Sequence, residues 1–315
     1  MPSPETTDLP IDEWRDDVTS GPAVGAAHHH QSGDDLAAGQ GEGGIYDLGQ
    51  PGEPDAEADQ LPAEPTPMDE LAAHWRSCAP ALDDAQVALL ARFRDLLHER
   101  NQRVNLTAVR DFPGIERRLI LESLRLLPAL EDRVSTGDRV LDIGTGGGLP
   151  GMVLAIARPD LTFTLMDATG KKVQFLSDAV EAMGLANVRP LHGRAEEVAR
   201  NTGFRGQFRI AMARAVSSLP TLIELGLPFV ALGGYLVLPK GIDLDEELQA
   251  AERAGALVGG RVVEASILPD AGSSVETRLV VIEKVAPTPK TYPRRTGLPA
   301  HAPLGLAEKP ARSRR

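Results

Sequence analysis

The chain has 315 residues, a formal net charge of −12 and a single cysteine, Cys78. This length allows one large or two small domains, and a single cysteine excludes an internal disulfide and fits a reducing compartment. No segment combines the length and apolarity of a membrane span, and the N-terminus lacks the apolar core of a signal peptide, so we expect a cytoplasmic protein that does not enter a membrane.

Residues 1–67 carry fifteen acidic residues against one basic residue, Arg15, and are rich in Pro, Gly, Ala and Gln. Large apolar residues are too few there to offset the entropy of ordering, so we predict a disordered acidic tail. His28, His29 and His30 lie within it, and adjacent histidines in such a segment are more often solvated than metal-bound. Without this tail the net charge is about +2, so the acidic total does not argue against an RNA partner.

Residues 68–130 follow a helical pattern. Apolar positions recur at the spacing of an amphipathic helix, with Asp83 and Asp84 near the start of the first stripe. The apolar positions of the two stripes are Leu82, Val87, Leu89, Leu90, Phe93, Leu96 and Leu97, then Ile115, Leu119, Leu121, Leu124 and Leu127. Because these helices precede the first predicted strand, we expect them to pack as a cap beside the ligand-binding edge of the sheet.

Residues 131–286 form the predicted core domain, which contains the segment DRVLDIGTGGGLPG at 138–151. An apolar strand ends at Asp142 and leads through a glycine-rich loop into an apolar helix, which makes a βα unit. Glycines let a ligand lie against the backbone, and the helix N-terminus offers N–H groups without partners. The segment therefore predicts a cradle for a nucleotide-type cofactor, and the alternative is a glycine-rich surface turn without a ligand.

The glycine run fits two cofactor patterns. Gly146, Gly148 and Gly151 have the G-x-G-x-x-G spacing of dinucleotide-binding proteins, which alone is a weak signal. Counted from Asp142, the run has the D-x-G-x-G-x-G spacing of S-adenosylmethionine (SAM) methyltransferases. We favour SAM because a carboxylate suits a cofactor with an ammonium and a sulfonium, whereas it would repel a pyrophosphate. Asp167, at the end of the next strand, suits the ribose hydroxyls of either cofactor.

Beyond the loop, apolar strand segments alternate with helical segments. Strands are predicted near 139–143, 162–166, 187–191, 207–212, 234–239, 261–268 and 277–284, and helices near 149–158, 170–183, 217–230 and 243–255. The predicted fold class is therefore α/β, a seven-stranded, Rossmann-like doubly wound sheet of the SAM-methyltransferase type that ends in a hairpin. Ligands of such sheets bind at the carboxyl ends of the strands, where Asp142, Asp167 and Arg214 fall.

Several motifs occur together in one order. They are NLTAVR (105–110), LDIGTGGGLPG (141–151), LMDATGKKVQFL (165–176), GRAEE (193–197), ARAVSSL (213–219), LPKG (238–241) and TYPRRTGLP (291–299). In this order and spacing they resemble the small-subunit ribosomal RNA methyltransferase G family, also called glucose-inhibited division protein B. The resemblance covers about residues 70–306.

The resemblance implies methylation of N7 on a guanine in the decoding-region loop of 16S rRNA, with SAM as the methyl donor and the small ribosomal subunit as partner. By matching motif positions, the loop residues that would contact the cofactor are Gly144, Thr145, Gly146, Gly148 and Leu149. Asp167 would take the ribose, Ala195 and Glu196 would flank the adenine, and Arg214 would lie between cofactor and target as the catalytic residue. We expect no metal, and we expect a monomer.

The absence of motifs that other methyltransferases use agrees with this chemistry. Guanine N7 already has an in-plane lone pair and loses no proton on methylation, so the reaction needs alignment more than a general base. No NPPY-type tetrad, as used for exocyclic amines, follows the fourth predicted strand. Cytosine C5 methylation would need a nucleophilic thiol, and Cys78 lies in the predicted cap without a motif around it.

Basic residues provide candidate RNA contacts. Arg194, Arg214 and Lys240 each follow or end a predicted strand on the cofactor side, although an isolated surface ion pair is the commoner role for such residues. Residues 287–315 are predicted to form a basic, irregular C-terminal tail in which Arg294 and Arg295 either grip the rRNA backbone or are simply solvated.

Some positions depart from the family pattern. Leu119, Glu122 and Ser123 stand where a His-x-x-Asp-Ser arrangement is usual. Arg209 replaces a usual acidic residue, and Arg278 stands near a usual His. Two other functions stay open from the residues alone: an NAD(P)-dependent oxidoreductase, and a non-catalytic RNA-binding or ribosome-assembly protein on the same fold.

Overall fold

The computed structural model describes residues 64–214, 217–241, 244–269 and 276–306. Most of the predicted acidic tail, with its three histidines, lies outside the described residues, and so does the end of the chain from residue 307. In the described ranges, none of the helices is long and apolar enough to cross a membrane.

The core of the molecule is one seven-stranded sheet with the strand order β3-β2-β1-β4-β5-β7-β6. The strands are β1 Arg139–Ile143, β2 Thr162–Asp167, β3 Val188–His192, β4 Phe208–Met212, β5 Val230–Lys240, β6 Gly260–Ile267 and β7 Arg278–Lys284. Neighbours among β1 to β5 pair in parallel, whereas β7 pairs antiparallel with both β5 and β6. The predicted seven-stranded doubly wound sheet with a terminal antiparallel pair is confirmed.

Helices precede the sheet and separate most of its strands. They are α1 Met68–Cys78, α2 Asp84–Asn101, α3 Phe112–Gly114, α4 Glu122–Leu124, α5 Leu127–Glu131, α6 Gly151–Ala157, α7 Gly170–Met183, α8 Ala195–Val198, α9 Leu219–Gly226, α10 Asp245–Val258 and α11 Leu298–His301. The helix α2 begins with a capping box: Asp83 Oδ1 accepts from the backbone of Gln86, whose side chain accepts from the backbone of Asp83.

Two buried apolar clusters cover the two faces of the sheet. One contains Trp75 and Phe93 from the cap together with Phe163 of β2. The other contains Phe208 of β4 and Phe229, a residue of the short 3₁₀ turn Leu227–Phe229, whose rings meet edge to face with centroids 6.3 Å apart. The cap therefore shares the hydrophobic core of one sheet face.

The second cap stripe contains a feature that the helical spacing does not predict. Between α3 and α4 the chain forms a π-helical segment, Ile115–Leu121, with a wider turn than an α-helix. Its Glu116 is buried and ion-paired with Arg94 of α2 at 2.7 Å, so the segment is fixed against α2.

The segment 287–306 differs from the predicted irregular tail, because it packs against the sheet domain. Arg200 donates to the Pro293 carbonyl at 2.6 Å, and Arg205 donates to the Tyr292 carbonyl at 3.0 Å. The segment also contains the short helix α11, and its Pro299 is buried. Arginine side chains of the sheet domain therefore provide donors for backbone carbonyls of this segment.

Candidate active site

The register of the sheet brings the predicted acidic residues to one edge. Asp142 in β1 lies opposite Met212 in β4, and Asp167 at the end of β2 lies opposite His192 in β3. Arg214 follows β4 by two residues. The carboxyl ends of the four strands therefore place both carboxylates and this guanidinium at the same side of the sheet.

The glycine loop after β1 is tied to β2. The backbone N–H groups of Gly144 and Thr145 both donate to the Met166 carbonyl, at 2.8 and 3.1 Å. Gly144 and Gly146 have φ values of +68° and +59°, in the left-handed region that favours glycine. The loop thus leaves the strand sharply and passes over the end of β2.

Asp142 stabilises the glycine loop through hydrogen bonds. Its Oδ2 accepts from the Thr145 hydroxyl at 2.6 Å and from the Gly151 N–H at 2.8 Å. Its Oδ1 is buried and has no partner among the described residues. Burial raises the pKa of Asp142 to about 6, although these hydrogen bonds and the charge of Arg214 oppose the shift.

Asp167 holds the middle of the glycine loop at the end of β2. Its Oδ2 accepts from the Gly146 N–H at 3.0 Å, and its Oδ1 accepts from the Thr169 N–H at 2.8 Å. Each oxygen keeps lone-pair capacity for a further donor. The carboxylate is 6% exposed, so it is fixed at the surface of the cradle without being sealed inside the protein.

Two of the predicted loop contacts serve packing in this structure. A Cβ on Gly148 would lie 3.0 Å from Leu176 and 3.2 Å from Met152, so the missing side chain makes room for the protein itself. Leu149 is buried, and its N–H donates to the Thr145 carbonyl. Gly146 is more open, because its nearest non-neighbour atom is the Leu106 carbonyl oxygen, 3.5 Å from a Cβ position.

The predicted adenine residues lie at the start of α8. Ala195 is buried, and the Glu196 carboxylate accepts from the Gly297 N–H at 3.0 Å. The side chain of Glu196 is therefore held by the C-terminal segment, which the sequence predicts to be an irregular tail.

A cleft of about 330 Å³ lies at the same edge, beyond β4 and β5. Its walls include Arg118, Leu119, Glu122, Arg214, Lys240 and Thr277. One segment of the chain connects the cleft with the cradle, because Val109 lines the cleft and Leu106, three residues earlier, approaches Gly146. Asn101 shapes that wall: its Oδ1 accepts from the backbone of Leu106 and its Nδ2 donates to the Val109 carbonyl.

Arg214 is partly buried in this cleft and has no hydrogen-bonded or ion-paired partner in the described part of the chain. Burial lowers the pKa of its guanidinium, and the charges of Asp142 and Glu122 partly offset the shift. A guanidinium that is desolvated without a direct partner is well placed to bind an anionic or carbonyl oxygen of a substrate.

The other predicted RNA contacts differ in their surroundings. Arg194 is exposed at the start of α8. Lys240 donates to the Ser217 carbonyl at 2.8 Å and lies 3.4 Å from Glu247, whose carboxylate also accepts from the backbone N–H of Leu219. Lys240 therefore fixes Ser217, just before α9.

The prediction that Arg294 contacts RNA needs correction, because its guanidinium is committed inside the protein. It donates to both carboxylate oxygens of Glu224, which is fully buried in α9, and to the Ala302 carbonyl. Arg295, the neighbouring residue, is exposed and available to a partner.

The departures from the family pattern have partners of their own. Arg209 donates to the carbonyls of Arg133 and Gly233, both at 2.7 Å. Arg278 pairs with Asp245 at 3.2 Å. These contacts are local, and neither reaches the cradle.

Cys78 lies in the cap, where burial raises the pKa of its thiol, so it is unsuited to act as a nucleophile. Within the ranges that the structure covers, no group of three or more His, Cys, Asp or Glu side chains is arranged to hold a metal ion.

Comparisons with known proteins agree on one family. The family model described as rRNA small subunit methyltransferase G matches residues 86–271. Proteins named ribosomal RNA small subunit methyltransferase G are similar over most of their length. The protein from Moorella thermoacetica is 42% identical over 74% of this chain and 97% of its own, and the one from Deinococcus deserti is 43% identical over 73% and 92%. The relative from Roseiflexus castenholzii is 41% identical over 75% of this chain and all of its own.

Proposed function

The chain belongs to the rRNA small subunit methyltransferase G family, and we propose that it transfers a methyl group from SAM to N7 of a guanine in the decoding-region loop of 16S rRNA. The observation that carries the proposal is the cradle of Asp142, Asp167 and the glycine loop, which lies at the same edge of the sheet as a cleft containing Arg214, close enough for the charges of Asp142 and Arg214 to interact. Family membership favours this function over the oxidoreductase that the G-x-G-x-x-G spacing also permits.

The residues of the cradle fit SAM. Asp142 Oδ1 is a buried acceptor that no donor of the described residues reaches, which suits a cofactor that brings cationic groups. Asp167 keeps acceptor capacity for the two ribose hydroxyls, and Gly146 leaves the backbone open. When bound, SAM supplies an electrophilic methyl group.

The chain's own part in the reaction is alignment. Guanine N7 has a free lone pair and loses no proton, so no side chain has to act as a base. Arg214 holds the target by an oxygen of the base or of a phosphate, and Lys240 fixes Ser217 nearby. Arg194 and Arg295 are exposed cations that contact the RNA backbone.

The direct test is transfer of labelled methyl from SAM to small ribosomal subunits from a strain that lacks this gene, with the modified nucleotide mapped by mass spectrometry. The expected product is one 7-methylguanosine in the decoding-region loop, formed without added metal. In the cell, we expect the protein to act in the cytoplasm as a monomer. No incorporation while SAM still binds would favour the non-catalytic RNA-binding protein instead.

SAM affinity is expected to depend on pH through Asp142. Its pKa of about 6 in the folded protein lies above the ordinary 3.8, so the carboxyl is mostly neutral at pH 5 and ionised at pH 7. Because only the ionised form attracts a cation, the Kd for SAM should fall about tenfold between these pH values. The Asp142→Asn variant should show no such change in a calorimetric titration.

The raised pKa of Asp142 also makes the stability of the protein without cofactor depend on pH. The free energy of unfolding should decrease as pH rises from about 4 to about 6, because the folded protein binds more protons than the unfolded chain in that range.

Gly146→Asp is expected to abolish SAM binding, because the new side chain enters the cradle beside the carboxylate of Asp167. The matched control is Gly206→Asp: Gly206 has a similar φ of +67° but has open space around its Cβ position and lies in an exposed turn. Equilibrium dialysis with labelled SAM distinguishes the two variants. Wild-type affinity in Gly146→Asp would remove the loop from the cofactor site.

A further inference from the structure

Glu122 lies in the wall of the cleft that also contains Arg214 and Thr277. It is 8% exposed, which is unusual for a carboxylate and requires that its charge be compensated. The cleft is therefore not a purely basic RNA groove, because a carboxylate and two arginines, Arg118 and Arg214, face the same space.

The Glu122 carboxylate is held in one position. Arg125 Nη1 donates to its two oxygens at 2.7 and 2.8 Å, and Arg125 is itself fixed by the carbonyls of Leu268 and Pro269. The Thr277 hydroxyl donates to Oε2 at 3.2 Å. Among the described residues, Arg125 is the one donor to Oε1, so Oε1 keeps a lone pair for a further donor.

A carboxylate acceptor held in this way distinguishes guanine from adenine. Guanine presents the donors N1–H and N2–H₂ on one edge and the acceptors O6 and N7 on the other. If N7 is to meet a methyl group, a protein must identify guanine by the donor edge and O6. A fixed carboxylate accepts from that donor edge, whereas adenine presents an acceptor, N1, at the same place and is repelled.

We propose that Glu122 determines the base specificity of the methyl transfer by accepting from the N1–H and N2–H₂ edge of a guanine bound in the cleft. The proposal rests on the proposed function and adds the residue that reads the base. Arg214 or Arg118 binds O6 from the other side, so the cleft matches the alternation of donor and acceptor along the base.

The experiment uses small subunits reconstituted from 16S rRNA that carries either guanine or 2-aminopurine at the target position. 2-Aminopurine keeps N7 and the amine but has an acceptor at N1 and lacks O6. Glu122→Gln keeps the shape of the side chain and replaces one acceptor by an amide donor, which suits that acceptor. We expect kcat/KM for guanine to fall about tenfold or more while kcat/KM for 2-aminopurine does not fall, with the Kd for SAM unchanged.

Glu276→Gln is the matched control, because Glu276 lines the same cleft and is exposed. Its ratio of guanine to 2-aminopurine activity should equal that of the wild type. If Glu122→Gln lowers kcat/KM equally on guanine and on 2-aminopurine, Glu122 is merely structural and the proposal is overturned. The proposal is also overturned if the ratio of the two activities changes in Glu276→Gln alone.

If loss of charge beside Arg125 unfolds Glu122→Gln, Glu122→Asp keeps the charge and withdraws the carboxylate by one methylene. Its ratio should also fall, and an unchanged ratio would contradict the proposal. Methylation of guanine by the wild type is measured in the same assay, so failure of the proposed function is seen separately as absence of that product.

Discussion

Arg214→Ala is expected to lower kcat/KM for methyl transfer by about 10²-fold while the fold and SAM binding are retained. The guanidinium lies in the cleft and has no direct partner among the described residues. Its removal therefore breaks no ion pair of a buried carboxylate, since the nearby Glu122 is paired with Arg125. The reaction depends on alignment of N7 with the methyl group, and small misplacements of reacting atoms have effects of this size. Single-turnover kinetics with saturating SAM would measure the chemical step.

Arg214→Lys is the informative control for that experiment. Lysine keeps the charge but not the planar fork that binds two acceptors at once, so it should recover only a small part of the rate. Full recovery would show that Arg214 acts through charge alone, and wild-type turnover in Arg214→Ala would remove it from the mechanism.

Arg294→Ala is expected to lower the free energy of unfolding by about 3–5 kcal/mol, because it leaves the carboxylate of Glu224 buried without its cation. Glu224 is fully buried and receives the Nε and Nη2 donors of Arg294. Urea denaturation followed by circular dichroism would measure the loss. The double variant with Glu224→Gln should recover part of it, since the uncompensated charge is then gone.

Arg295→Ala provides the matched comparison one residue along the chain. Arg295 is exposed, so its removal should change stability by less than about 0.5 kcal/mol and should weaken RNA binding instead. Equal stability losses in the two variants would contradict the distinction between a structural Arg294 and an RNA-contacting Arg295.

The strands of the sheet could be predicted because their apolar runs are long and are bounded by turn residues. Asp142 and Asp167 could be placed at one edge because each ends a strand of a parallel sheet, whose carboxyl ends coincide. The positions of β1, β2 and β7 differ from the predicted ones by at most one residue.

The role of Arg294 could not be predicted in this way, because its partner lies 70 residues earlier in the chain. The available signal was Glu224 itself, a charged residue within the apolar stretch LPTLIELG that forms α9. A carboxylate in such a helix needs a cation from elsewhere, and local patterns do not say which one. The cleft was also missed, since its walls come from the cap, β5 and the residues before β7.

The π-helical segment Ile115–Leu121 sets which side chains of the cap face the substrate. Such a segment holds one more residue than an α-helix that turns through about the same angle, so deleting one residue within it would let an ordinary α-helix continue with Glu122 near its present face. In a continuous α-helix the same deletion would instead rotate the later side chains by about 100° around the helix axis, which here would turn Glu122 away from the cleft. The π-helical segment is therefore where the cap tolerates a change in length, while the sheet and its cofactor cradle remain intact.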